Sequence, residues 1–490
     1  MLLTISLSIG AVILFTVVKS FIINNSAANS LNKWYSYFKG SEKGKPVSAS
    51  TSILSIFASL NGGFMVLGLV QIGYEGGLSG YILGCAYILG VVLLFFLMRK
   101  AEKNNKIYDG IFGVDSILLN RYGPKTVRAF YFITGVVFAG VLGGQLIAIS
   151  NYLKIYGDII NFTIVIVIGV AGTMAYTIRH GFKGVLANDT IQSVVELGVA
   201  FVFPISIFYF IYKSAGTVSF NLSTDFSSIG GVYGPLYPLF GTLFLMLSFS
   251  TRADVWQRVI NVNRKGQLLI LLGSGILLTF YYFMMTTAGV LIKQNSALFN
   301  MGNNPNIGAF TIDLTGPVMH NLTTFPFLNI ALQIFCLSGV LIAILSSIDS
   351  YLNLTSTSLT KFSLWNTIPK VKTEDLSELE RQALLDNTRV ATVFVGVIAG
   401  IFAILIPDIV DLMSASFSII GILIPIVVTG IFSQRKFSDM SGALPIWASF
   451  ITLVIAVPLI GKSAFIPAFV MGGVLFAVLI FRDSHRKLVP

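Results

Sequence analysis

Long apolar runs alternate with short polar segments along the chain, and within the runs polarity does not alternate residue by residue. A helix that crosses a membrane needs about 20 mostly apolar residues. Runs of that kind fall near 2–23, 48–73, 78–98, 127–152, 158–178, 189–212, 236–254, 267–292, 323–360, 388–406, 409–431, 443–461 and 464–481. The pattern therefore predicts 13 transmembrane helices. The ninth run is too long for one simple crossing, so it is expected to extend past the bilayer or to break. Strands of a membrane barrel would read as segments of about 10 residues alternating in polarity. Continuous runs such as Ile164 to Val170 do not alternate, and helices are expected throughout.

Composition leads to the same class. A soluble chain of 490 residues would suggest about three domains. Yet 55% of the residues are hydrophobic and only 11% are charged, with a mean hydropathy of +0.83. Soluble domains carry about 25% charged residues, so this chain has too few polar side chains to cover a surface in water. An aromatic content of 13% excludes a disordered chain. With Cys85 and Cys336 as the only cysteines, a disulfide-stapled fold is excluded too. The expected class is an all-α polytopic membrane protein.

The net charge of +11 acquires meaning once the charges are placed. Signal peptides carry positive charge ahead of their apolar core. Here Met1 to Val18 has none and Lys19 follows the core, so the first run reads as a retained helix with its N-terminus outside. In that orientation 27 of the 32 Lys and Arg residues fall on the inner side, Arg252, Arg258, Arg264 and Lys265 among them. Outer loops hold only Lys154, Lys213, Lys293 and Lys462. Inner loops of membrane proteins are the basic ones. The expected topology places the N-terminus outside and the C-terminus in the cytoplasm, in the cell membrane. The surplus charge then faces anionic lipid, and no nucleic-acid partner is implied. No soluble domain interrupts the chain. The charge-rich stretch from Phe362 to Thr388 reads as a solvated amphipathic helix, and the nine residues after Phe481 are too short for a signalling domain.

Charges inside a span are costly and mark pathways or sites. Setting aside loops and helix ends leaves Asp189, Glu196 and Asp349. Around Asp349, residues Ala343, Ser346, Ser347 and Ser350 recur at helical spacing and share one face. Such a face can bond back to its own carbonyls, or it can offer several oxygens to a hard cation. A second feature is Ala58-Ser59-Leu60-Asn61-Gly62-Gly63-Phe64, where Asn and two Gly weaken the helix in mid-span. Close helix packing through small residues is one reading. The other is an unwound segment whose freed carbonyls coordinate an ion, as in transporters built from inverted repeats. A counterpart is expected in Tyr237 to Thr251, which is short and interrupted by Gly and Ser. The spacing allows a five-plus-five arrangement: an N-terminal helix and loop over 1–47, repeats over 48–212 and 236–431, and two further helices with a short tail over 443–490.

At these residues the chain resembles the sodium/solute symporter family, which includes sodium/proline, sodium/glucose, pantothenate and sialic acid carriers. Four stretches carry the resemblance: Ala343 to Ser350; Tyr176 to Gln192 with Gly181, Gly184 and Asn188-Asp189-Thr190-Ile191-Gln192; Asp254-Val255-Trp256-Gln257-Arg258; and Asn120-Arg121-Tyr122-Gly123. The resemblance covers nearly the whole chain. It implies a sodium site formed by the carbonyls of Ala58, Asn61 and Ala343 with the hydroxyls of Ser346 and Ser347. It ties Asp189 to ion coupling, and some members hold a second sodium where this chain has Asp189, Asp349 and Ser350. Leu60 stands where proline carriers have an essential Asp, a departure that bears on both solute and coupling.

Substrate contacts in that architecture come from the broken helices and the third helix of the repeat, here Asn61, Gly62, Gly63, Met65, Gln145 and Ser248. Without Arg or Lys in mid-span, a neutral or zwitterionic solute is expected. The implied function is Na+-coupled symport of a small organic solute by alternating access, by a monomer, with Na+ as coupling ion and no cofactor. The alternative is a membrane-embedded solute sensor of the same fold. His180, His320 and His485 lie far apart in sequence with no nucleophile–base grouping, so an enzyme is not expected.

Overall fold

The computed structural model describes residues 30–42, 45–62, 64–104, 107–108, 110–154, 162–221, 237–299, 326–366, 376–405, 409–460 and 465–485. Its helices are α1 (Ser30–Lys39), α2 (Ala49–Leu60), α3 (Leu69–Gly76, preceded by a π-turn over Phe64–Gly68), α4 (Leu78–Asn104), α5 (Val114–Arg121), α6 (Pro124–Lys154), α7 (Phe162–Ala215) and α8 (Tyr237–Ser248). They continue with α9 (Ala253–Ile260), α10 (Gln267–Gln294), α11 (Pro326–Ser363), α12 (Glu378–Leu405), α13 (Ile409–Phe432), α14 (Asp439–Ile460) and α15 (Phe465–His485). Among the described residues there is no β-strand, only one bridge between Val47 and Val262. Eight of the described helices are long and apolar enough to cross a membrane, and shorter apolar helices accompany them. Large apolar side chains such as Leu239, Phe394, Leu459 and Phe481 stand exposed on the outside, as a lipid-facing surface requires. The run expected over 2–23 lies outside the described residues.

Several expected runs take a different form. The ninth does not break: α11 is one helix of 38 residues. The fifth and sixth are two helices that meet at a sharp bend at Gly181 (φ 55°, ψ −143°) with almost no loop between them, and α7 names both arms. A Cβ at Gly181 would lie 2.5 Å from the ring of Tyr37 and 2.7 Å from its carbonyl oxygen, so both conformation and space demand glycine. Consequently Asp189 lies about two turns beyond the bend, too deep for a helix dipole to account for its charge. Part of the charge-rich stretch after Phe362 forms the first turns of α12, continuous with the tenth apolar run.

The two runs with Gly and Ser in mid-span are broken, and at corresponding places. In the first, α2 stops at Leu60 and the helix reforms from Phe64. In the second, α8 stops at Ser248 and α9 begins at Ala253. Around these breaks α11 packs against α6 and α7, α10 packs against α2, α3 and α4, and α9 touches α2, α10 and α11. The Asn120-Arg121-Tyr122-Gly123 stretch closes a helix end. Arg121 donates to the carbonyls of Gly430 and Gln434, each at 3.1 Å, and the Tyr122 hydroxyl donates to that of Ile426 at 2.9 Å. These bonds tie α5 to the last turns of α13 and satisfy the orphan carbonyl of Gly430.

Candidate functional site

Asn61 ends α2 with its N–H donating to the Ala58 carbonyl at 3.1 Å and a backbone of φ −100°, ψ 52°. The chain winds up again from Gly62, whose carbonyl accepts from Met65 at 2.8 Å and Val66 at 3.2 Å. Gly62 is required by what faces it. A Cβ there would lie 2.6 Å from Ser347 Oγ and 2.7 Å from both amide atoms of Gln145.

The serine face of α11 meets this break. Ser346 Oγ lies 2.8 Å from the carbonyl oxygen of Ala343, 3.1 Å from that of Ala58 and 2.9 Å from Glu196 Oε1. Its neighbour Ser347 donates to the Ser59 carbonyl at 3.2 Å, which also accepts from the Tyr351 hydroxyl at 2.9 Å. Asn61 Nδ2 donates to Glu196 Oε2 at 3.0 Å. Ala58, Asn61, Ala343, Ser346, Ser347 and Glu196 are all buried. Of the two readings open for the serine face, the bond of Ser346 to its own helix is present, but the same hydroxyl also sits among oxygens of two other helices.

A second cluster joins α2, α7, α9 and α11. Asp189 accepts from the Ser55 hydroxyl and from Arg258 Nη2, the latter at 3.1 Å. The same Nη2 lies 2.9 Å from Ser350 Oγ, and Arg258 Nε lies 2.7 Å from Ser55 Oγ. Asn188 Nδ2 donates to Asp349 Oδ2 at 2.8 Å. Asp189, Asp349 and Ser350, grouped from the resemblance, thus share one buried region with a guanidinium that composition had assigned to a loop. Arg252, likewise counted among loop charges, is buried in a pair with Asp254, Nη2 to Oδ2 at 2.6 Å. The Trp256-Gln257 part of the motif anchors α9: Trp256 Nε1 donates to the Ser250 carbonyl at 3.1 Å, and Gln257 Nε2 donates to that of Phe38 in α1 at 2.8 Å.

Of the expected substrate contacts, Gly62 and Gln145 face each other across the break. Met65 Sδ accepts from the Tyr87 hydroxyl at 3.3 Å, and the Tyr87 ring stands edge-on to Phe249 with centroids 6.0 Å apart. Ser248 precedes that ring, and its hydroxyl bonds to its own helix at the Leu245 carbonyl, 2.7 Å away. Gly63 lies outside the described residues. Sequence reasoning left Arg258, Tyr351 and Ser55 without a role, and it singled out Glu196 without assigning one. The apolar neighbourhood of Glu196 singled it out, but its partners Asn61 and Ser346 come from other helices and leave no local signal.

A bundle of long apolar helices, two of them broken in mid-span beside a buried face of hydroxyls and carbonyls, defines a multi-pass membrane protein with a centrally placed oxygen-rich site. The model of the Sodium:solute symporter family matches residues 42–451, and the chain belongs to that family. The high-affinity proline transporter PutP of Bacillus subtilis (strain 168) is 24% identical over 350 residues. That match spans 64% of this chain and 66% of the relative, just under two thirds of its length. Among solved structures, a Na+-coupled sialic acid symporter in a substrate-bound outward-open state superposes with a TM-score of 0.67. It covers 98% of this chain and 97% of its own at 19% identity, a likeness of fold. The fold is the inverted-repeat transporter architecture, and the family is one of transporters rather than enzymes.

Proposed function

We propose that this chain is a Na+-coupled secondary transporter that imports a small organic solute by alternating access. The observation that carries the reading is the meeting of the Ala58 and Ala343 carbonyls at one hydroxyl, that of Ser346, beside a broken helix. Na+ is a hard cation that takes several oxygens. Held there, it ties α2 to α11 and favours the conformation that receives solute. Ser347 and the Asn61 carbonyl complete the set. Repeats over 48–212 and 236–431 would supply the two halves that rock around it, with 443–490 outside the core.

With the N-terminus outside and the C-terminus cytoplasmic, Asp189 and Arg258 lie on the inner side of the Na+ position. Their pair closes the inner path and must part for release, after which Asp189 and Asp349, with Ser350, offer a passing or second Na+ its next oxygens. Each charge that crosses gains about 2.3 kcal/mol per 100 mV. The solute is neutral or zwitterionic, held by Asn61, Gly62, Gly63, Met65, Gln145 and Ser248, and one chain suffices for transport. Leu60, where the proline carriers of the family have an Asp, argues for a solute or coupling different from theirs.

The test is a thermal-unfolding screen of solutes in Na+ and in K+, because a co-substrate stabilises further when its partner ion is bound. A hit is then followed into proteoliposomes. Uptake that rises with an inward Na+ gradient supports symport; equal uptake with and without the gradient contradicts it.

A further inference from the structure

The ligands named for the sodium between α2 and α11 are uncharged oxygens, yet the Glu196 carboxylate stands among them. Ser346 Oγ has three acceptor oxygens within 3.1 Å: the carbonyls of Ala58 and Ala343 and Oε1 of Glu196. A hydroxyl carries one proton and can donate it once at full strength. With Glu196 ionised, the other close approaches bring lone pair against lone pair, an arrangement that a cation between the oxygens resolves. Asn61 Nδ2 holds Glu196 Oε2 at 3.0 Å, which fixes the carboxylate with its second oxygen turned toward Ser346.

Glu196 is fully buried, and among the described residues no cationic side chain pairs with it. The buried guanidinium of Arg258 is engaged with Asp189. Ionising a buried carboxylate that has two neutral hydrogen-bonding partners and no counter-ion is expensive.

We propose that the Glu196 carboxylate is a direct ligand of the cation held by Ala58, Ala343 and Ser346, so that a monovalent ion is bound as a buried, neutral pair. The proposal rests on the sodium site assigned above and adds an anionic ligand from α7. It assigns α7 a part in the site that the carbonyl–hydroxyl set gives only to α2 and α11. It also makes Na+ the counter-ion of the ionised carboxylate.

The experiment is equilibrium 22Na+ binding to the purified full-length protein without solute, paired with thermal unfolding in Na+-free and Na+-saturated buffer. Glu196→Gln keeps the shape and the bond to Asn61 but removes the charge. It should weaken Na+ binding by about tenfold or more, since even partners one shell out from a metal cost 10–100-fold. Its midpoint in Na+-free buffer should equal or exceed that of the unaltered chain, whereas a purely structural Glu196 would lower it. Weakened binding in Ser346→Ala with unaltered binding in Glu196→Gln overturns this proposal and leaves the sodium site standing. Unaltered binding in both overturns the site itself. Should Glu196→Gln not fold, Glu196→Asp decides: its shorter arm should weaken Na+ binding, and unaltered affinity overturns the proposal.

Discussion

Arg258 Nη2 lies 3.1 Å from Asp189 Oδ2, with 2% and 0% of the two side chains exposed. The pair joins a short helix after the second break to the arm of α7 beyond Gly181, and Ser55 and Ser350 share it. Removing one member of a buried pair leaves an uncompensated charge, which costs about 3–5 kcal/mol. Arg258→Ala should therefore lower the thermal midpoint in detergent markedly, and Arg258→Ala with Asp189→Asn should recover part of the loss. A single variant as stable as the unaltered chain would show that water reaches Asp189.

The break in the first core helix depends on the bare backbone at Gly62. Gly62→Ala would bring a methyl within 2.7 Å of Ser347 Oγ and the Gln145 amide, pushing two helices away from the first. Weaker Na+ binding is expected, read as a smaller thermal shift in Na+ titration. The matched control is Gly400→Ala, where nothing lies within 4 Å of the new carbon. That change should leave Na+ binding unaltered and raise stability by up to about 1 kcal/mol, the gain of Ala over Gly in a helix. Equal Na+ responses in the two variants would contradict the geometry of the break.

Gly181→Ala should destabilise for a different reason. It combines a left-handed backbone with contacts of 2.5 Å to Tyr37, so a loss of about 1–3 kcal/mol is expected. Because the bend sets the approach of α1 to α7, Tyr37→Ala in the same chain should relieve part of the loss. Thermal unfolding of the double variant checks this; a loss identical to that of Gly181→Ala alone would assign the effect to backbone strain.

Much of the fold was legible because bilayer thickness imposes a length on each apolar run and helix breakers are rare within them. Asn61, Gly62 and Gly63 announced the first break, and the Gly and Ser residues from Gly241 to Ser250 announced the second. The serine face of α11 followed from helical spacing alone. Arg258 was illegible for the reason that made the topology readable. Counting basic residues treats each as a loop charge, and only the tertiary contact with Asp189 reveals one that is buried. Gly181 falls where the sequence places the connection between the fifth and sixth runs; that the connection is one tight bend becomes visible only when the Tyr37 ring lies against it. Glu196 stood out as a charge, but its partners come from helices more than 100 residues away in sequence.

The central claim is that Na+ binds where the serine face of α11 meets the end of α2. The most direct measurement is a Na+ titration of the unfolding temperature for the unaltered chain, Ser346→Ala and Ser347→Ala, with K+ holding ionic strength constant. The account predicts a Na+-specific rise in the unaltered chain and, in both variants, a midpoint displaced to about tenfold higher Na+ or beyond reach. Identical Na+ midpoints in all three proteins would contradict it.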